Sequence, residues 1–273
     1  MLLFITEEAQ MDFQVNVEVF KQFLHKCMLS GLIQDLYLRS ANGTLFAKFT
    51  NSNSNIYCEV YEKNLKITED GEIRIAKLEQ VYAVLNRIET DIIRVKSTDN
   101  LYIITDGSAV GRMKVELVPA SGADCLQSYE RLKTYDEDTS QKFFDQLNLT
   151  YFNGSIEYLS GYEVPVSALS TILKDAKAFK LEFYKFFVKN KILNCSIEDQ
   201  TIGQCLNRKM QTIQQIGTGD IPMVMVGAGF REMVNAIEKE SDRKNVKMYF
   251  APKSILITDG VGFFYNIHTI VED

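Results

Sequence analysis

The chain has 273 residues, 46% of them apolar and 24% charged, with a formal net charge of −6. That length suggests about two domains with enough apolar material for a sizeable core. No apolar run approaches the roughly 18 residues of a membrane-spanning helix, and the acidic balance excludes a surface coated in basic patches.

The first stretch, MLLFITEEAQ, is too short and too acidic for a secretory signal. FQVNVE (13–18) alternates as a strand. EVFKQFLHKCML (18–29) puts Val19, Phe20, Phe23, Leu24, Cys27 and Met28 on one helical stripe. DLYLRSANGTLFAKFT (35–50) predicts two strands around Asn42-Gly43, a strong hairpin signal. NIYCEVYEKNLKI (55–67) and EIRIA (72–76) are further strands, and KLEQVYAVLNRI (77–88) is a helix. IIRVKS, LYIITDG and GRMKVELVP then make three strands ending at Pro119.

The second half runs in the same order. YEVPV (162–166) is a strand, and SALSTILKDAKAF (167–179) is a helix with Leu169, Ile172, Leu173 and Ala176 inward. KLEFYKFFVKN, KILNCSIED, CLNRKMQTIQQI (205–216) and IPMVMV (221–226) are four strands. FREMVNAIEKE (230–240) is a helix, and NVKMYFAP, SILITDG and VGFFYNIHTIVE are three closing strands. Each half therefore reads strand, helix, four strands, helix, three strands. Leu78, Tyr82 and Leu85 align with Phe230, Val234 and Ile237, and the two ITDG runs end in Asp106-Gly107 and Asp259-Gly260. Between the halves lies a polar connector with the acidic cluster Asp136-Glu137-Asp138. The expected division is a first domain over 1–118, a connector over 119–144 and a second domain over 145–273. The fold class is α+β, with two duplicated domains, each of two helices packed on antiparallel sheet.

This element order, the long acidic connector and the closing YNIHTIVED (265–273) resemble the DNA sliding clamps, the PCNA-like and bacteriophage-type processivity factors. The resemblance implies a homotrimer, a pseudo-sixfold ring of six domains with helices around a central hole. It implies a processivity factor that encircles duplex DNA independently of sequence and tethers a DNA polymerase and other replication proteins. An ATP-driven loader would be a separate partner. The YFAPK run (249–253) is not the PCNA tail, because it precedes the second ITDG strand.

If the helices line such a hole, their polar faces meet phosphate. The candidates are Lys21, His25, Lys26, Lys77, Arg87, Lys174, Lys177, Lys180, Arg231 and Lys239. The four helices together carry three more cations than anions while the whole chain is at −6, so acid is concentrated elsewhere. Phosphate contacts carry no sequence information, so a lysine-lined bore can hold DNA and still slide. Helix polar faces also carry lysine by default, so the excess is equally a property of solvated helices. By position in the family, the edges that join subunits fall on 111–118 and 206–213, with Arg112, Lys114, Val115, Arg208, Met210 and Thr212 at the interface. The family's partner-peptide pocket falls on Leu45, Leu126, Pro252, Ile267, His268 and Thr269, with His268 standing where the family has a small residue.

Other chemistry is sparse. VMVGAGFREMVNAI (224–237) places Gly227 and Gly229 between a strand and a helix, as in a nucleotide-binding turn. Glu232 stands where the third glycine would be, and no P-loop lysine follows. His25 and His268 have neither catalytic nor metal-ligand spacing, and no catalytic residue, metal site or cofactor is expected. The five cysteines form no C-x-x-C and suit a reducing compartment, so a non-secreted protein is expected. Its place would be cytoplasm or nucleoid, host cytoplasm for a virus, or a eukaryotic nucleus. Two rival readings stay open: a monomeric clamp-fold polymerase accessory subunit holding DNA on one basic face, and a nucleotide-binding enzyme using the Gly227–Gly229 junction.

Overall fold

The computed structural model describes residues 11–116 apart from 35, 52–54, 64, 76, 99 and 106–107, and residues 148–270 apart from 152–153, 159, 200, 202, 218–220, 241–243 and 261. The expected connector, with Leu126, and the Asp106-Gly107 turn lie outside the described residues. The chain divides into two compact units, 1–49 with 59–129, and 50–58 with 130–273.

In the first unit, β1 (Met11–Asn16) leads into α1 (Val17–Met28). The helix starts there because Asn16 Oδ1 accepts from the Glu18 and Val19 amides at 2.9 and 3.3 Å. It stops at Leu29, whose backbone turns left-handed. Five strands follow: β2 (Leu36–Ala41), β3 (Thr44–Thr50), β4 (Ile56–Glu62), β5 (Lys66–Glu69) and β6 (Gly71–Ile75). Then come α2 (Leu78–Leu85), β7 (Ile92–Ser97), β8 (Asn100–Thr105) and β9 (Ser108–Glu116). The antiparallel order is β3-β2-β6-β9-β8-β7-β1-β5. Phe13, Phe20 and Phe23 are fully buried, with Phe13 edge-on to Phe20 at 5.8 Å. Burying side chains of that size contributes about 1.5–3 kcal/mol each, which is what holds α1 to its sheet.

The second unit opens with the two-stranded pair β10 (Asn148–Tyr151) and β11 (Gly154–Glu157). Next are β12 (Ser160–Pro165), α3 (Val166–Phe179), β13 (Phe183–Lys189), β14 (Ile192–Asp199), β15 (Gln204–Lys209), β16 (Gln214–Ile216) and β17 (Val224–Val226). α4 (Gly229–Glu240), β18 (Asn245–Ala251), β19 (Ser254–Thr258) and β20 (Phe263–His268) close the fold. One sheet runs β15-β14-β13-β17 and another β16-β12-β18-β19-β20, with the bridge Met225–Ile270 between them. This is the first unit's order again: β14-β13-β17 matches β3-β2-β6, and β20-β19-β18-β12-β16 matches β9-β8-β7-β1-β5. Residues 50–58 belong here, and the Asn55 carbonyl accepts from the His268 amide at 2.8 Å.

Two expectations need correction. Among the described residues each unit has five strands between its helices rather than four. The expected 55–67 strand breaks after Glu62, and β5 turns to pair with β1; the expected 205–216 strand breaks after Lys209, and β16 pairs with β12. The helix expected over 77–88 is shorter, so Lys77 and Arg87 flank α2. At Asp259-Gly260, Asp259 Oδ1 accepts from the Gly262 and Phe263 amides at 2.7 and 3.2 Å.

Candidate nucleic-acid interface

α3 is amphipathic, with Leu169, Ile172, Leu173 and Ala176 buried. The helical repeat then turns Lys174 and Lys177 to the flank that meets α4. Between the two helices runs a groove of ≈ 570 Å³ lined by Lys174, Lys177, Lys180 and Arg231, with Glu182, Glu238, Asn235 and Tyr184. Lys174, Lys177 and Lys180 are exposed, and among the described residues no ion pair holds them. Arg231 Nε donates to Glu232 Oε1 at 2.8 Å, which raises the guanidinium's pKa. Burial pushes the Tyr184 phenol up to about 12, with Arg231 opposing the shift. Its ring packs on Phe230 at 4.9 Å, fixing this wall of the groove. The Lys239 side chain lies outside the described residues.

The first unit treats its expected cations differently. Lys21 Nζ donates to Glu18 Oε1 at 2.7 Å, and its side chain is only 15% exposed. Lys26 is half-buried near Glu62, whose carboxyl is raised by burial with the Lys26 charge opposing. The His25 ring lies 6.2 Å from Tyr82 of α2. Lys77 is exposed at the start of α2 with φ 63, and Arg87 is exposed beyond its end.

The expected interface residues also divide. Arg112 is exposed on β9 with its guanidinium 5.8 Å from the Tyr102 ring. Lys114 pairs through backbone with Asn100, and Val115 with Ile75 of β6. β9 is thus not an unpaired edge at its end. β15 is the outer strand of its sheet. Arg208 on it forms an ion pair with Asp175 of α3. Thr212 is half-buried, while Met210 is buried, its amide bound to the Leu193 carbonyl at 2.9 Å.

Of the expected pocket residues, Pro252 and Thr269 meet: Thr269 Oγ1 donates to the Pro252 carbonyl at 3.1 Å. His268 is exposed, its ring 5.0 Å from Tyr57. Leu45 and Ile267 have buried side chains and can only back a surface. Ile270 and Met223, absent from the sequence-based set, are exposed apolar residues of the second unit. Tyr184 was also absent, although the alternation of β13 marks it.

At the glycine junction, the Phe230 and Arg231 amides donate to the Gly227 and Ala228 carbonyls at 3.0 Å each. A phosphate-binding turn would leave such amides open. A Cβ at Gly229 would stand 2.6 Å from Ile56 Cδ1, so this glycine serves close packing. Among the described residues no group of His, Cys, Asp or Glu is arranged to hold a metal ion, and no helix is long and apolar enough to cross a membrane.

No family model and no curated protein matches this sequence. Solved structures do match. The Thermotoga maritima DNA polymerase III beta subunit superposes with a TM-score of 0.67 at 14% identity, over 97% of this chain and 67% of that one. Proliferating cellular nuclear antigen from Entamoeba histolytica superposes at 0.68 and 8% identity, over 96% of this chain and 100% of that one. PCNA from Thermococcus kodakaraensis gives 0.67 at 9%, over 95% and 100%. The chain has the sliding-clamp fold. The clamp fold accounts for the repeated element order and for the α+β class with few helices on antiparallel sheets. At 8–14% identity, what is shared with these clamps is the backbone's course and not the side chains.

Proposed function

We propose that this protein is a processivity factor that encircles duplex DNA as a homotrimer and tethers a DNA polymerase and other replication proteins. The carrying observation is a clamp fold matched over the whole length of PCNA chains, with lysines of a helix pair open in one groove. The DNA-facing set is Lys21, His25, Lys26, Lys77, Arg87, Lys174, Lys177, Lys180, Arg231 and Lys239. The protein acts without catalysis, by topology and phosphate contact, and a separate ATP-driven loader opens the ring. The outer strand β15 meets β9 of another copy, a head-to-tail contact that must close into a ring to avoid filaments. Supporting this is a contact within the second unit, where the amide of His268, at the end of β20, the counterpart of β9, donates to the Asn55 carbonyl at 2.8 Å. Partner peptides dock beside Pro252, His268 and Thr269, backed by Ile267.

Light scattering on a size-exclusion column tests the ring: a mass of three chains is expected at micromolar concentration, and a single chain overturns it. A monomeric accessory subunit is the second reading, favoured by the pairing of the end of β9 with β6. It predicts one chain and equal retention on linear and circular DNA, whereas a ring stays only on the circle.

A further inference from the structure

We infer that the two helix pairs have diverged, so that the α3–α4 pair holds the phosphate backbone and the α1–α2 pair does not. The inference rests on the reading that the helices face DNA and goes beyond it by dividing the work unequally between the copies.

Lys174 and Lys177 lie three residues apart on α3, Lys180 caps its end, and Arg231, paired with Glu232, lines the same groove from α4. Two carboxylates, Glu182 and Glu238, share the lining, so the groove keeps an excess of cations. The three lysines are exposed and held by no ion pair among the described residues, so each can release a counterion on meeting a phosphate. In the first unit the equivalent charges are spent within the protein. Lys21 is committed to Glu18 at 2.7 Å, Lys26 faces the half-buried Glu62, and His25 lies against Tyr82. A phosphate would have to displace a carboxylate to reach Lys21. Lys77 and Arg87 are open but stand at opposite ends of α2, about 15 Å apart along the axis at 1.5 Å per residue. They make two isolated point charges rather than a site. A sliding protein gains from this arrangement: one stripe per subunit can follow a backbone while the other pair supplies a surface of low affinity.

The test compares K174A/K177A/K180A with K21A/K26A/K77A/R87A and the unaltered protein. Binding to a labelled duplex of about 30 base pairs is followed by fluorescence anisotropy between roughly 20 and 200 mM salt. Removing the three lysines of the second unit is expected to weaken binding at least tenfold at low salt. It should also flatten the log–log salt slope by about 2–3, near one per lost phosphate contact. Removing the four cations of the first unit is expected to change affinity by less than about threefold and the slope by less than about one. Equal losses, or a larger loss from the first-unit set, overturn the division while leaving the DNA-facing reading intact. No salt-dependent binding by the unaltered protein removes that reading and the division together. Thermal melting of both variants checks that the effects are on binding, and a charge-reversed K174E/K177E chain should lose binding further if the groove is the site.

Discussion

Single residues already show how tightly this backbone is specified. Gly229 sits where a methyl group would overlap Ile56 Cδ1. Gly229→Ala should therefore destabilise the protein by about 1–3 kcal/mol, the usual cost of overpacking. Ile56→Val removes the overlapping carbon, so the double substitution should recover part of that loss in a urea melt; no recovery would place the strain elsewhere. Tyr184 makes a second case. Its phenol titrates at about 12 in the folded chain because it is buried, against about 10 unfolded. The folded state keeps this proton longer, so the stabilisation is complete below pH 10 and is lost as pH climbs through 12. Melting temperature should fall across that window, and the fall should be shallower in Tyr184→Phe. Lys21 shows what spacing could have told: Glu18 lies three residues earlier on the same helix face, the arrangement in which such pairs form, so the Lys21–Glu18 ion pair was readable.

Helices and turns differ in how plainly they are written. Asn16 caps α1 through two amides, and Asn16→Ala should cost about 1 kcal/mol, seen as a lower melting temperature. α3 begins at Pro165 with no side-chain cap, so the corresponding exchange there has no cap to remove. Asn42-Gly43 was legible as a hairpin because both residues favour the left-handed backbone, and both adopt it, with φ 50 and 77. The matching hairpin between β13 and β14 turns at Asn190 and Lys191, with φ 54 and 63. A lysine gives no such signal, and only the flanking strands betrayed that turn. β5 and β16 escaped notice for another reason. At four and three residues they are too short for alternation to register, and only their pairing with β1 and β12 defines them. The groove was half legible: helical periodicity found Lys174 and Lys177, whereas Glu182, Tyr184, Asn235 and Glu238 join them through tertiary packing.

For the molecule as a whole, the duplication was the most readable property, because two strings of elements in one order survive even where side chains have drifted. The structure extends it to strand pairing, since the last strand of each unit lies beside its neighbours in the same sequence. What the string carried only at Lys21 was the pairing of the helix cations, which elsewhere depends on partners brought together by tertiary packing. If the homotrimer forms, its mass should survive moderate salt, since backbone pairing at β15 is not screened as charge contacts are. Dissociation below about 200 mM salt would point instead to an association dominated by ion pairs.

Lys77 and Lys180 share a feature with a wider consequence: each holds a left-handed backbone, with φ 63 and 56, where glycine would sit without strain. Exchanging either for glycine should make the protein hardier, by up to about 1 kcal/mol, while stripping away a cation. Heat resistance and grip on a polyanion would then move in opposite directions at Lys180, whereas at Lys77 heat resistance alone would change.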